Sequence, residues 1–341
     1  MTAARWPLRV AVVGVGGWGI EHARGWAGMP GIELVALCER DDGRLQTVAA
    51  DLGIAETYSS AAVLAAEVDL DIDVVSIATP EADRLDVTLP FLERGVHALV
   101  EKPFATTPAE AAKLRDAATA HGVFVMPGHV LRFDARMMAL KAEVDGGALG
   151  AIRSIYSRRL IPRVRHGKYA RAHPALVAAI HDYDLARWMI GTEPLTVRSH
   201  ALHTENEPVP DILWSTFEFP GERIAVIENA WVIPDEAGVW LESELEVIGS
   251  EGIARVRVPG DLSLWLSSGH TLPDTTLVPF VLGTATGALR DELSYFASCV
   301  ARGVAPERVT ADDGIAAVRL ALAAAESGAR KTTVTLGSTV E

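Results

Sequence analysis

Three glycines spaced Gly14-x-Gly16-x-x-Gly19 follow the apolar run Val10-Ala11-Val12-Val13, and Glu39 closes a second apolar run twenty residues after the last of them. Each glycine has its own task. Gly14 lets the chain turn sharply out of a strand, Gly16 lets the backbone approach a pyrophosphate, and Gly19 lets the next helix lie close to the sheet. The unpaired N–H groups at that helix's start then face the phosphates. Glu39 can accept hydrogen bonds from ribose hydroxyls and would repel a 2′-phosphate. The chemistry that fits is dinucleotide binding, with NAD expected over NADP. Arg40 keeps NADP open, because its guanidinium could stack on adenine or tolerate the extra phosphate. A glycine turn that binds nothing is the plainer alternative, but it does not call for the acid.

Two further segments bring groups able to move a proton. The run His97-Ala98-Leu99-Val100 leads directly into Glu101-Lys102-Pro103. In a doubly wound sheet the ligand crevice lies at the carboxyl ends of the strands, so Lys102 would arrive beside the cofactor, followed by a proline bond that can be cis. Near an oxidised nicotinamide its positive charge is disfavoured, which suits proton transfer. A surface lysine paired with Glu101 is the competing reading. The second segment is Ile180-His181-Asp182-Tyr183-Asp184-Leu185. Helical spacing puts His181, Asp184, Leu185 and Trp188 on one face, so Asp184 could orient an imidazole suited to exchange a proton with a hydroxyl. A packed histidine capped by Asp184 would read the same way.

A basic stretch precedes that helix: Arg158, Arg159, Arg163, Arg165, His166, Lys168, Arg171 and His173. Arginine forks there could recognise an anionic sugar acid or phosphate. A solvated loop or a subunit contact is the alternative. Trp231 and Trp240 could stack on a sugar ring or pack in the core.

These residues need elements to carry them. Strands are predicted at 9–14, 32–38, 73–78, 96–100 and 123–126, with helices near 18–28, 41–52, 60–66, 82–94 and 108–121. Alternation of this kind calls for a parallel sheet covered on both faces. Thr107, Pro108, Glu110 and Gly122 punctuate the last of these helices. A helix is expected from Arg132 to about Glu143. Beyond Gly150 the pattern turns to period two, with strands at 151–160, 195–203, 212–219, 222–233, 240–248, 253–258 and 262–266. Helices are expected at 174–190, 285–302 and 311–328, and a hairpin turn at Pro220-Gly221. Within 222–233, Ile224, Val226, Ala230 and Val232 share a face with Glu228, an acid that needs an explanation. The fold class is α/β: an N-terminal Rossmann doubly wound parallel sheet (1–127), then a C-terminal α+β domain with a large, mostly antiparallel sheet (128–341) for substrate binding and oligomerisation.

Composition bounds the partners. The 341 residues are 49% hydrophobic and 22% charged, with 31 basic against 45 acidic side chains and a net charge of −14. An acidic chain argues against nucleic acid. No apolar run reaches membrane-spanning length, and the N-terminal one reads as a strand, so a cytoplasmic protein is expected. Cys38 and Cys299 are far apart and imply neither a disulfide framework nor a metal site.

In order, Gly14-Val15-Gly16-Gly17-Trp18-Gly19, Ala78-Thr79-Pro80, Glu101-Lys102-Pro103, Gly128-His129 with Arg132-Phe133, and His181-Asp182-Tyr183-Asp184 span nearly the whole chain. This series resembles the glucose–fructose oxidoreductase and inositol dehydrogenase (Gfo/Idh/MocA) family of NAD(P)-dependent oxidoreductases. The resemblance implies catalysis by Lys102 and His181 on a hydroxyl-bearing carbon of a sugar, cyclitol or sugar acid. It implies cofactor contacts from Gly14, Gly16, Gly17, Trp18, Gly19, Glu39, Arg40, Thr79, Pro80, Glu101 and Lys102. Tyr183, Asp184, Arg163, Arg165 and His129 are further catalytic or substrate candidates, and a homodimer or homotetramer is expected. Two positions depart from the family. Val177 stands where an aspartate usually accepts the proton, four residues before His181, and Arg84 stands where a histidine is common. These departures raise the alternative of a cofactor-binding regulatory or partner-binding protein without turnover; within the enzyme reading, a redox-neutral NAD-dependent sugar-modifying enzyme is a further alternative.

Overall fold

In the computed structural model, which describes residues 6–204, 208–259, 262–266 and 269–337, the early apolar runs pair into one parallel six-stranded sheet. Its strands are β1 (Leu8–Val13), β2 (Ile32–Cys38), β3 (Glu56–Tyr58), β4 (Val74–Ile77), β5 (His97–Glu101) and β6 (Val125–Gly128). They lie in the order β3-β2-β1-β4-β5-β6, the doubly wound arrangement with its switch point between β1 and β4. β1 and β4 are apolar almost throughout because helices bury both faces. Those helices are α1 (Gly19–Ala27), α2 (Asp42–Leu52), α3 (Ala61–Ala66), α4 (Arg84–Glu93) and α5 (Pro108–Ala120). The expected punctuation of α5 is complete: Thr107 Oγ1 accepts from the Glu110 N–H, and Glu110 accepts from the Thr107 N–H. The short edge strand β3 was not predicted, since three residues leave no period to read.

Helix α6 (Ala135–Asp145) begins three residues later than expected, because a 3-10 turn at Val130–Phe133 comes first and Asp134 caps the helix. The second sheet contains β7 (Ile152–Pro162), β8 (Thr196–Leu202), β9 (Ile212–Phe219), β10 (Arg223–Ile233), β11 (Glu242–Gly249) and β12 (Ile253–Val258). Two small hairpins follow, β13 (Leu264–Leu266) with β14 (Gly269–Thr271) and β15 (Phe280–Val281) with β16 (Thr284–Ala285); β17 (Val334–Thr335) returns to the second sheet. Its order is β12-β11-β7-β10-β9-β8-β17, and only β7 with β10 is parallel. The remaining helices are α7 (Arg165–Tyr169), α8 (Ile180–Ile190), α9 (Ala288–Arg302) and α10 (Ala311–Arg330). Pro220-Gly221 forms the predicted turn between β9 and β10. Glu228 also finds its explanation: it accepts a hydrogen bond from Tyr156 Oη of β7 at 3.0 Å.

The chain divides into two compact units, Met1–Phe133 with Thr276–Ala316, and Asp134–Thr275 with Ala317–Glu341. The sequence reading kept 128–341 together. Residues 276–316 instead join the first unit, where Tyr295 of α9 stacks on Phe133 at 5.4 Å. Arg132 donates there to Arg308 O (3.0 Å) and to Asp313 (3.2 Å). Contacts so distant in sequence leave no local signal.

In the second unit α8 is fastened to the sheet by two adjacent residues. Asp182, fully buried, accepts from Ser157 Oγ (2.7 Å) and from Arg159 Nε and Nη2 (2.7 and 3.1 Å). Tyr183 Oη pairs with Ser215 Oγ (3.0 Å), which in turn accepts from Ser199 Oγ (2.9 Å). Breaking a buried ion pair from one side strands the other charge. Asp182→Ala is therefore expected to lower unfolding stability by about 3–5 kcal/mol in urea titrations; a loss below ~1 kcal/mol would show that Arg159 does not depend on it.

Candidate active site

The glycine turn is built as its spacing requires. Gly14 has φ +86°, and a Cβ there would meet the Ala78 carbonyl at 2.9 Å. A Cβ on Gly19 would collide with the Gly14 carbonyl, so both positions exclude side chains. Gly16 and Gly17 differ: added Cβ atoms would meet nothing within 4 Å, leaving their backbone open to approach. Glu39, at the end of β2, turns one carboxylate oxygen to the Val15 N–H (3.1 Å) and the other to the Asp41 N–H (3.2 Å). The acid is thereby held beside the turn; Arg44 Nη1 also lies 3.3 Å from the oxygen that faces Val15, and the oxygen that faces Asp41 retains a lone pair for a ribose hydroxyl. Arg40 is engaged elsewhere, in an ion pair with Asp83 at 2.8 Å.

Lys102 and Thr79 follow neighbouring strands, β5 and β4, as the doubly wound order demands. The Lys102–Pro103 peptide is cis. Glu101 points inward, 3% exposed, and three N–H groups converge on its carboxylate: Lys102 N (3.0 Å), Trp18 Nε1 (2.8 Å) and His22 Nε2 (3.1 Å). Burial works to raise the Glu101 pKa, but the His22 hydrogen bond and the His22, Lys102 and Arg84 charges hold it below the usual carboxylate range. An ionised Glu101 only accepts, so His22 donates Nε2–H to it; its Nδ1 meets Ser76 Oγ at 2.7 Å. Glu292 of α9 is fully buried and neither carboxyl oxygen has a hydrogen-bond partner. Burial first, then the nearby Glu101 charge, push its pKa well above the ordinary range. Sequence reasoning named neither His22 nor Glu292. The signals existed: Trp18 and His22 stand four apart on one helix, and Glu292 interrupts the apolar stripe Leu289, Leu293 and Phe296.

The dinucleotide fits these residues. Thr79 Oγ1 is buried without a hydrogen-bond partner, and the backbone cradle at Gly16 and Gly17 is open. Pro80 leads the 3-10 turn at Glu81–Asp83, and His129 is buried just after β6.

The second-unit candidates fare unevenly. His181 is half-buried near the start of α8, while Asp184 is buried. Tyr183 is packed edge-on against Phe217 at 5.0 Å, and burial raises its pKa, so its hydroxyl serves the helix–sheet core. One turn of π-helix, Ala175–Ala179, precedes α8 and contains Val177. Val177 lies in an apolar cluster with Ala178 and Trp231, against Ile161 and Ala172. Trp231 therefore packs in the core. The basic stretch disperses: Arg158 pairs with Glu242, Arg159 with Asp182, Arg165 lies 5.9 Å over Trp240, and Arg171 lies 5.4 Å over Tyr169. The Arg163 side chain is exposed, and the Lys168 side chain lies outside the described residues. His166 is buried against Trp231 at 5.4 Å. Burial, followed by the charge of His203, lowers the His173 pKa to about 4. No cluster of metal-ligating side chains occurs among the described residues.

Comparison with known proteins agrees with this fold. Residues 8–129 match the GFO/IDH/MocA oxidoreductase family with its NAD-binding Rossmann fold, and residues 137–255 match the GFO/IDH/MocA C-terminal domain. The chain is 28% identical over 274 residues to inositol 2-dehydrogenase 1 of Saccharopolyspora erythraea, covering 80% of this chain and 76% of that one. Its fold superposes on myo-inositol 2-dehydrogenase from Lactobacillus plantarum with a TM-score of 0.84 at 24% identity, over 97% of this chain and all of the other. It superposes comparably (TM-score 0.82, 22% identity, 97% and 99% coverage) on scyllo-inositol dehydrogenase from Lactobacillus casei with bound NAD(H) and scyllo-inositol. From its glycine turn through its second sheet, then, this chain belongs to the GFO/IDH/MocA family of NAD-binding oxidoreductases.

Proposed function

We propose that this protein oxidises a hydroxyl-bearing carbon of a neutral cyclitol or sugar, with Lys102 and His181 handling the hydroxyl proton. The observation that carries the reading is Glu101: its buried carboxylate ties the Lys102 backbone to Trp18 of the glycine turn. A bound NAD supplies a hydride acceptor. The chain's own task is the proton, which passes from the substrate hydroxyl to Lys102 or to the imidazole of His181. Val177 cannot accept it, so these two groups share work that an aspartate usually does. A neutral polyol is favoured over a sugar acid because four arginines of the basic stretch are already engaged within the protein. The first unit would hold cofactor, and the second would supply substrate contacts and the oligomer interface.

The outward face of the second sheet supports a homodimer or homotetramer: Trp214 and Ile224 are each 37% exposed there, with Tyr156 beside Trp214. No helix among the described residues is long and apolar enough to cross a membrane. The buried, unpaired Cys38 and Cys299 fit a reducing cytoplasm.

Four outcomes test the reading. With NAD and a panel of myo-inositol, scyllo-inositol and gluconate, absorbance of reduced nicotinamide should rise for a cyclitol. Lys102→Ala and His181→Ala should each lower kcat/KM about 100-fold or more, and together by less than the product; full turnover in both variants would remove the assignment. Calorimetric titration should give NAD at least ~10-fold tighter binding than NADP, about 1.4 kcal/mol. Glu39→Gln should narrow that gap, and an unchanged gap would mean that the acid does not discriminate. Light scattering should return a dimer or tetramer mass, reduced in Trp214→Glu with Ile224→Glu; a monomeric parent protein would count against the interface.

A further inference from the structure

Arg84 is a cation buried to 6% exposure at the start of α4, where an unsatisfied guanidinium would cost several kcal/mol. It donates Nε and Nη2 to the Thr79 carbonyl (3.2 and 3.1 Å) and Nη1 to the Pro103 carbonyl. Those acceptors follow different strands, β4 and β5, and the second lies one residue after Lys102. Lys102 is thus pinned on both sides: its own N–H donates to Glu101, and the carbonyl of the next residue accepts from Arg84. A planar fork presents donors on three separate nitrogens to two carbonyls at once, a fixed spread that the single nitrogen of an ammonium does not reproduce.

We propose that Arg84 is the positioning residue for Lys102, a buried fork that locks the Thr79 and Pro103 carbonyls together and so fixes the backbone carrying the lysine. The proposal rests on the reading of Lys102 as a proton-transfer group and adds a residue to it. Among the charged or titratable groups at this backbone are Glu101 and Lys102 themselves, Arg84 of α4, His22 of α1 and Glu292 of α9, with buried Glu81 three residues before Arg84. Arg84 and Lys102 both act on the Glu101 carboxylate, so removing the Arg84 charge leaves Glu101 acting on the ammonium with less opposition.

The test uses the full chain and two variants, Arg84→Lys, which keeps the charge and loses the fork, and Arg84→Met, which loses both. Hydrogen exchange without cofactor reads the backbone directly. In Arg84→Lys the Lys102 and Phe104 amides should exchange about 10-fold faster or more, with core amides of β1 unchanged. Unchanged protection at Lys102, or loss spread evenly over the first unit, overturns the proposal. With NAD and myo-inositol, Arg84→Lys should lose kcat about 10-fold while KM and the pH profile of kcat/KM stay put. Arg84→Met should also move the lysine limb of that profile upward by about half a unit or more. A lowered Tm with wild-type kcat and an unmoved limb in both variants would make Arg84 merely structural and overturn the proposal. Turnover that survives Lys102→Ala would instead defeat the functional reading, while the exchange result still decides whether Arg84 holds this backbone.

Discussion

A single buried carboxylate organises the first unit. Glu101 is inaccessible to water yet stays ionised, which is tenable only because donors replace its hydration. Those donors come from three places in the sequence: the backbone of Lys102, the indole of Trp18 and the imidazole of His22. The requirement to satisfy one anion thus draws the glycine turn, α1 and the end of β5 into one arrangement. Gly128 participates by lacking a side chain, since a Cβ there would approach Glu101 Oε1 to 2.8 Å. Glu292 completes the picture: burial and the nearby Glu101 charge push its pKa well above the ordinary range, because a second buried anion beside the first is strongly disfavoured.

The second unit solves a comparable problem at α8. Asp182 and Tyr183 turn toward the sheet and are consumed by Arg159, Ser157 and Ser215, while the preceding residue, His181, remains half-buried. A π-turn introduces an extra residue just before this helix, at the stretch holding Val177. Valine there packs with Trp231 in an apolar cluster, an environment in which an ionised aspartate would be poorly solvated. The substitution and its surroundings are mutually consistent. Charge follows the same logic in the basic stretch, where acids and aromatic rings of the same unit occupy four arginines that the sequence left available for a ligand.

Sequence by itself determined the features that rest on local physics. Burial on two faces makes parallel strands apolar throughout, so β1, β2, β4, β5 and β6 were legible. Positive φ and close packing demand glycine, so Gly14 and Gly19 announced the turn; strict alternation did the same for the second sheet. Tertiary structure alone decided what depends on which distant groups meet. It chose Glu101 rather than Lys102 as the hub, gave Arg84 two carbonyls to hold, withdrew Tyr183 into the core and joined α9 to the first unit. Periodicity reports which face of an element is buried, but it carries no record of the partner buried against it. For charged and polar side chains that partner sets protonation and role.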